Sequence, residues 1–167
     1  MYKLISYIVL SCFVITTPLM AKEVVGWIEK VRIFPGDLTV KAKIDTGAKT
    51  SSIHCGCTHY KKNGEKWVRF SVTNEQGKTN WFERKIIRTA TIKRHFGKAQ
   101  ERSVIKLGFC LGSVYQETEV NLVDRSGLNY QLLVGREFLK GVYLVDPENM
   151  FLSEPDCKGE TIETGFN

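Results

Sequence analysis

Lys41-Ala42-Lys43-Ile44-Asp45-Thr46-Gly47-Ala48-Lys49-Thr50-Ser51-Ser52-Ile53 is the stretch from which the fold can be argued. Thr39, Val40, Ala42 and Ile44 make a short strand that runs into Asp45, and Gly47 lets the backbone turn tightly and another group approach closely. A carboxylate on a small polar turn at a strand end is held firmly and still reached from outside.

Outward from this turn, the chain is a series of short strands separated by turn chemistry. Val24 to Ile33 reads as a strand or two around Gly26, and Phe34-Pro35-Gly36-Asp37 as the turn into the Asp45 strand. Ser51 to Tyr60 reads as the strand that leaves the Asp45 turn, ending at Lys61-Lys62-Asn63-Gly64. Trp67 to Val72 and Asn80 to Ile87 form a hairpin across Thr73 to Thr79. Strands follow at Thr89 to Lys93, Arg102 to Leu107 and Glu117 to Val123, with a basic turn through Gly97. Leu128 to Val134 comes next, then at most one short helix near residues 136–140, then Val142 to Val145 and Met150 to Leu152 as closing strands. This pattern predicts an all-β barrel or sandwich with scarce helix. Trp67, Trp81 and Phe82 are read as core residues ahead of the alternative, a groove lined beneath a flap.

Lys43 to His54, Glu101 to Ile105, Leu122 to Ser126 and Leu133 to Leu139, in that order, resemble the family named ATP-dependent zinc proteases, regarded as retropepsin-like. The resemblance spans about Val25 to Leu152. It implies a one-lobed, closed acid-protease barrel in which Asp45, Thr46 and Gly47 are catalytic, and in which Ala48, Val134 and Gly135 support the loop from behind. Aspartic peptidases need two carboxylates around one water, sharing a proton so that one acts as base and the other as acid. One Asp-Thr-Gly occurs here. Asp124 and Asp146 lack the matching turn, and Asp124 is read as a turn former ahead of Gly127. The resemblance therefore implies a homodimer in which Asp45 from each copy meets across a two-fold axis, with Thr46 bracing the loops and a peptide or protein as substrate. A non-catalytic peptide-binding domain on the same fold, and a zinc hydrolase, are the alternatives. Arg136 is expected to point outward, paired with Glu137 or Asp124.

Neither half of that family's name finds support in the residues. Gly77-Lys78-Thr79 imitates the end of a phosphate loop, but Val72 stands where its first glycine belongs. His54, Cys55, Cys57 and His59 are acceptable zinc ligands in cramped spacing, because His54 would face away from the other three along a strand. No cofactor and no metal is expected.

The chain has 167 residues, 43% of them apolar and 25% charged, enough for one domain with a modest core. Its net charge is +6, but the basic residues are scattered, which fits a solvated surface better than a nucleic-acid site. Residues 1–21 read as a signal peptide: Lys3, an apolar run from Leu4 to Ile15, and a small residue, Ala21, before cleavage. The domain is then 22–167, with its core over about 25–152 and a tail over 153–167. An uncleaved anchor and lipidation at Cys12 are the other readings, and export to a bacterial periplasm is the expectation, with no further membrane span. In that compartment Cys55, Cys57, Cys110 and Cys157 can pair in three ways. Two strand residues two apart meet badly, so at least one of Cys55 and Cys57 is expected to reach Cys110 or Cys157.

Overall fold

A computed structural model describes residues 21–92 and 99–157. The expected signal peptide (all but Ala21), the expected basic turn through Gly97 and the expected tail beyond Cys157 fall outside them.

The structure is nearly all β. Its strands in chain order are β1 (Glu23–Gly26), β2 (Ile28–Phe34), β3 (Leu38–Ile44), β4 (Ser51–His54), β5 (Thr58–Lys62), β6 (Glu65–Thr73), β7 (Thr79–Lys85), β8 (Arg88–Ile92), β9 (Gln100–Leu111), β10 (Val114–Val123), β11 (Leu132–Val134) and β12 (Tyr143–Asp146). One short helix, α1 (Arg136–Leu139), follows β11. Strands β10, β4, β11, β3, β2 and β9 are neighbours in that order, and β9 pairs with β10, so the sheet closes into a six-stranded barrel with β8 appended to β9. Closure leaves these six with partners on both sides. Strands β5, β6 and β7 form a separate antiparallel sheet, and β1 lies parallel to β12.

Alternation places the core. In β3, Leu38, Val40, Ala42 and Ile44 are buried while Lys43 is exposed, the period-two pattern of a strand with one face inward. In β6, Val68, Phe70 and Val72 face in, and Phe82 of β7 stacks on Phe70. Phe82 is thus a core residue as expected. Trp67 and Trp81 lie on the other face of that sheet, Trp81 64% exposed beneath the Arg69 guanidinium. The tip of the β6–β7 hairpin is tied to the start of β3: Lys78 Nζ donates to the Asp37 carbonyl and Asn80 to that of Gly36.

Three expectations fail. Ser51 to Tyr60 is not one strand, because Cys55-Gly56-Cys57 leaves the ladder between β4 and β5. With strand geometry gone, Cys55 and Cys57 bond each other, their Cα atoms 4.9 Å apart, and Cys110 bonds Cys157 with Cα atoms 5.9 Å apart. Neither Cys55 nor Cys57 reaches the other pair. Met150 to Leu152 is a strap rather than a closing strand. Phe151 has φ +55°, and its N–H donates to the Ile28 carbonyl, whereas the next donors go to a side chain. That side chain is Glu29, fully buried on β2, whose carboxylate accepts the N–H groups of Gly26, Leu152 and Ser153 and the Ser153 hydroxyl.

Candidate functional site

The Asp45 turn is built by its neighbours. Parallel pairing of β3 with β11 brings Val134 beside Ile44, and the Asp45 N–H donates to the Val134 carbonyl at 2.8 Å. Behind them Gly135 passes so close to the turn's exit that a Cβ there would sit 2.5 Å from the Thr50 carbonyl carbon. Only glycine fits that crossing. The Gly135 N–H is taken by the Ser51 hydroxyl, itself fully buried.

The carboxylate turns back on its own loop. Asp45 Oδ1 accepts the N–H groups of Gly47 at 2.9 Å and Ala48 at 3.2 Å. Thr46 and Gly47 are exposed, and Asp45 is half-buried. So Asp45, Thr46, Gly47, Ala48, Val134 and Gly135 form one locality.

Arg136 is exposed, as its sequence reading has it, but its partners differ. Rather than pairing with Glu137 or Asp124, its Nη1 donates to the carbonyls of Thr46 and Gly47, both at 2.8 Å. The bend at Gly135 starts α1 alongside the loop, so the guanidinium finds backbone oxygens before it finds a carboxylate. Glu137 instead faces Lys49, 3.6 Å away.

On another side stands Arg125, which sequence reasoning did not single out. It follows β10, and its Nε donates to the Tyr130 carbonyl while Nη1 approaches the Ser52 hydroxyl at 3.4 Å. Burial pushes this guanidinium below its usual range, and the Asp45 carboxylate acts in the opposite direction. Its neighbour Asp124 is the expected turn former: its carboxylate lies below the usual range because the Ser126 N–H and hydroxyl donate to it, with His54 adding a smaller pull. His54 Nδ1 accepts the Arg125 N–H at 2.9 Å. Arg125 and His54 line an open cleft of about 400 Å³ together with Ser71, Thr73 and Gln131.

The residues of the zinc alternative do not assemble as ligands. Cys55 and Cys57 spend their sulfurs on each other, and His59 Nε2 lies 3.1 Å from the Ser103 hydroxyl. Among the described residues no group of three His, Cys, Asp or Glu side chains is placed to hold a metal ion. Nor is any helix among them long and apolar enough to cross a membrane.

Comparison with known proteins adds the following. Residues 24–156 match the family model RimB-like, described as retropepsin-like aspartic endopeptidase RimB. A probable alpha-L-glutamate ligase of Shewanella pealeana is 35% identical over 125 residues, which are 72% of this chain and 26% of that protein. Another of the same description, from Desulfotalea psychrophila, is 31% identical over 134 residues, 77% of this chain and 29% of that protein. The chain spans about a quarter of the length of these curated relatives. A crystal structure of a Legionella pneumophila protein of unknown function superposes with a TM-score of 0.66 at 31% identity, covering 80% of this chain and all of that one.

Proposed function

Because this chain belongs to the RimB-like family of retropepsin-like aspartic endopeptidases, we propose that it is an exported peptidase whose Asp45 carboxylates, one from each of two copies, activate a water against a peptide carbonyl. The observation that carries this reading is the Asp45 side chain on its braced turn: Oδ1 is engaged by the Gly47 and Ala48 N–H groups, and Oδ2 is not part of that pairing. Across a two-fold axis, two such groups share one proton. The unprotonated one takes a proton from water as the oxygen attacks, and the protonated one donates to the substrate oxygen. As the C–N bond breaks, the first carboxyl passes the proton taken from water to the departing amine nitrogen, and a gem-diol hydroxyl returns its proton to the second, restoring the shared proton. Thr46 braces the two loops and Gly47 leaves room for the substrate backbone.

The relatives bear the name glutamate ligase as whole proteins nearly three times this chain's length. The name belongs to them. For this chain we take from it only a substrate class, peptides rich in glutamate, which suits a cleft whose charged lining is Arg125 with His54 beside it. Two disulfides fit an oxidising compartment.

The test is the solution mass of Lys22 to Asn167 across concentration, with cleavage of a peptide library by this protein and by Asp45→Asn. The expected result is a dimer that cuts near glutamate and loses at least about 10³-fold in kcat on substitution, with unchanged mass. A monomer at every concentration that binds peptide and cuts none would leave a binding module instead.

A further inference from the structure

The Asp45 turn is gripped from behind over its whole length. Arg136 Nη1 donates to the carbonyls of Thr46 and Gly47, the Arg136 N–H to that of Ala48 at 2.9 Å, and the Glu137 N–H to that of Lys49 at 3.0 Å. Four consecutive carbonyls thus face the start of α1.

The first two decide where the carboxylate sits. In a planar trans peptide unit the C=O of one residue and the N–H of the next point in opposite directions. The Thr46 carbonyl shares its plane with the Gly47 N–H, and the Gly47 carbonyl shares its plane with the Ala48 N–H. Those two N–H groups are the ones that hold Asp45 Oδ1. The guanidinium and the carboxylate therefore hold opposite ends of the same two peptide units. A positive charge at the carbonyl end also polarises each unit and strengthens its N–H as a donor.

We propose that Arg136 is a positioning residue which, acting through the Thr46–Gly47 and Gly47–Ala48 peptide groups, fixes the Asp45 carboxylate by its Oδ1 and turns Oδ2 to the reacting water. Arg136 touches no substrate in this scheme. Other charged side chains near the turn do not duplicate it: Lys49 pairs with Glu137, and the bonds of Arg125 go to Tyr130 and Ser52. The inference deepens the aspartic-peptidase reading and rests on it for its catalytic consequence. Its geometric part can be measured without activity.

The experiment compares wild type with Arg136→Met, which keeps most of the stem but no donor, and Arg136→Lys, which keeps the charge and can donate. Residue-resolved solvent exchange by NMR is expected to show the Gly47 and Ala48 amides exchanging about tenfold faster in Arg136→Met, with β9 and β10 unchanged and Arg136→Lys intermediate. In the peptidase assay kcat falls by up to about 10²-fold at nearly constant KM, and lysine recovers part of it. Unchanged exchange at Gly47 and Ala48 in a folded Arg136→Met protein overturns the proposal, whatever the activity. Exchange rising equally across β3 and α1 with a lowered Tm overturns it too, in favour of a general structural role. If wild type cuts no peptide but the two amides respond as expected, the peptidase reading fails while the bracing stands.

Discussion

Tyr143 begins β12 buried in the core, stacked on Phe138 with its hydroxyl donating to the Leu111 carbonyl at 2.7 Å. Burial raises its pKa above the ordinary phenol range, and Glu23 adds to the shift. A raised folded pKa means that its contribution is complete below the unfolded value, about 10, and is lost as pH rises toward the folded one. Urea unfolding measured from pH 8 to 11 is expected to show stability falling at the alkaline end, and Tyr143→Phe to flatten that fall. Glu29 is a different case, a buried carboxylate whose work is to satisfy backbone. Glu29→Ala leaves three N–H groups without their acceptor and is expected to cost about 3 kcal/mol, lowering Tm by roughly 6–12 °C. Limited proteolysis should then cut within residues 149–153 before the rest of the chain. An unchanged Tm and cleavage pattern would show that the strap is held by other means.

Among elements, the two disulfides do unlike work. Cys110–Cys157 ties the end of β9 to a segment 47 residues on, and restraining so long a loop in the unfolded chain is worth about 4 kcal/mol. Cys55–Cys57 closes a ring with a sequence separation of 2 and restrains little, less than about 2 kcal/mol on the same argument. Denaturant unfolding of Cys110→Ser/Cys157→Ser and Cys55→Ser/Cys57→Ser is expected to separate them in that order; equal losses would contradict it. The sequence reached the elements whose causes are local. Alternation from Leu38 to Ile44, the turn at Asn63-Gly64 and the helix after Gly135 are written within a few residues of where they act. The strap reads as a strand in sequence because Met150 to Leu152 is apolar enough for either, and its acceptor lies on β2. The partners of Arg136 escape the sequence likewise: its neighbour Glu137 is visible there, whereas the Thr46 carbonyl, 90 positions away, is not.

For the whole molecule, the barrel was legible as a class from its many short strands, and its closure was implied by the resemblance carried by Lys43 to His54 and Leu133 to Leu139. The order β10-β4-β11-β3-β2-β9 was not, because period-two patterning says which face is buried and is silent on which strand lies beside which. The Asp45 turn is legible as a local motif, while the residues that surround it arrive from β10, β11 and α1. That arrangement sets a limit in time as well as in space. Strand β1 waits for β12, Glu29 for Leu152 and Ser153, and Cys110 for Cys157. A ribosome making this chain releases its first strands long before their partners exist, so folding finishes only after synthesis nears its end. Under the proposed export, such a chain would reach a translocation pore still threadable, and its Asp45 turn would take shape on the far side.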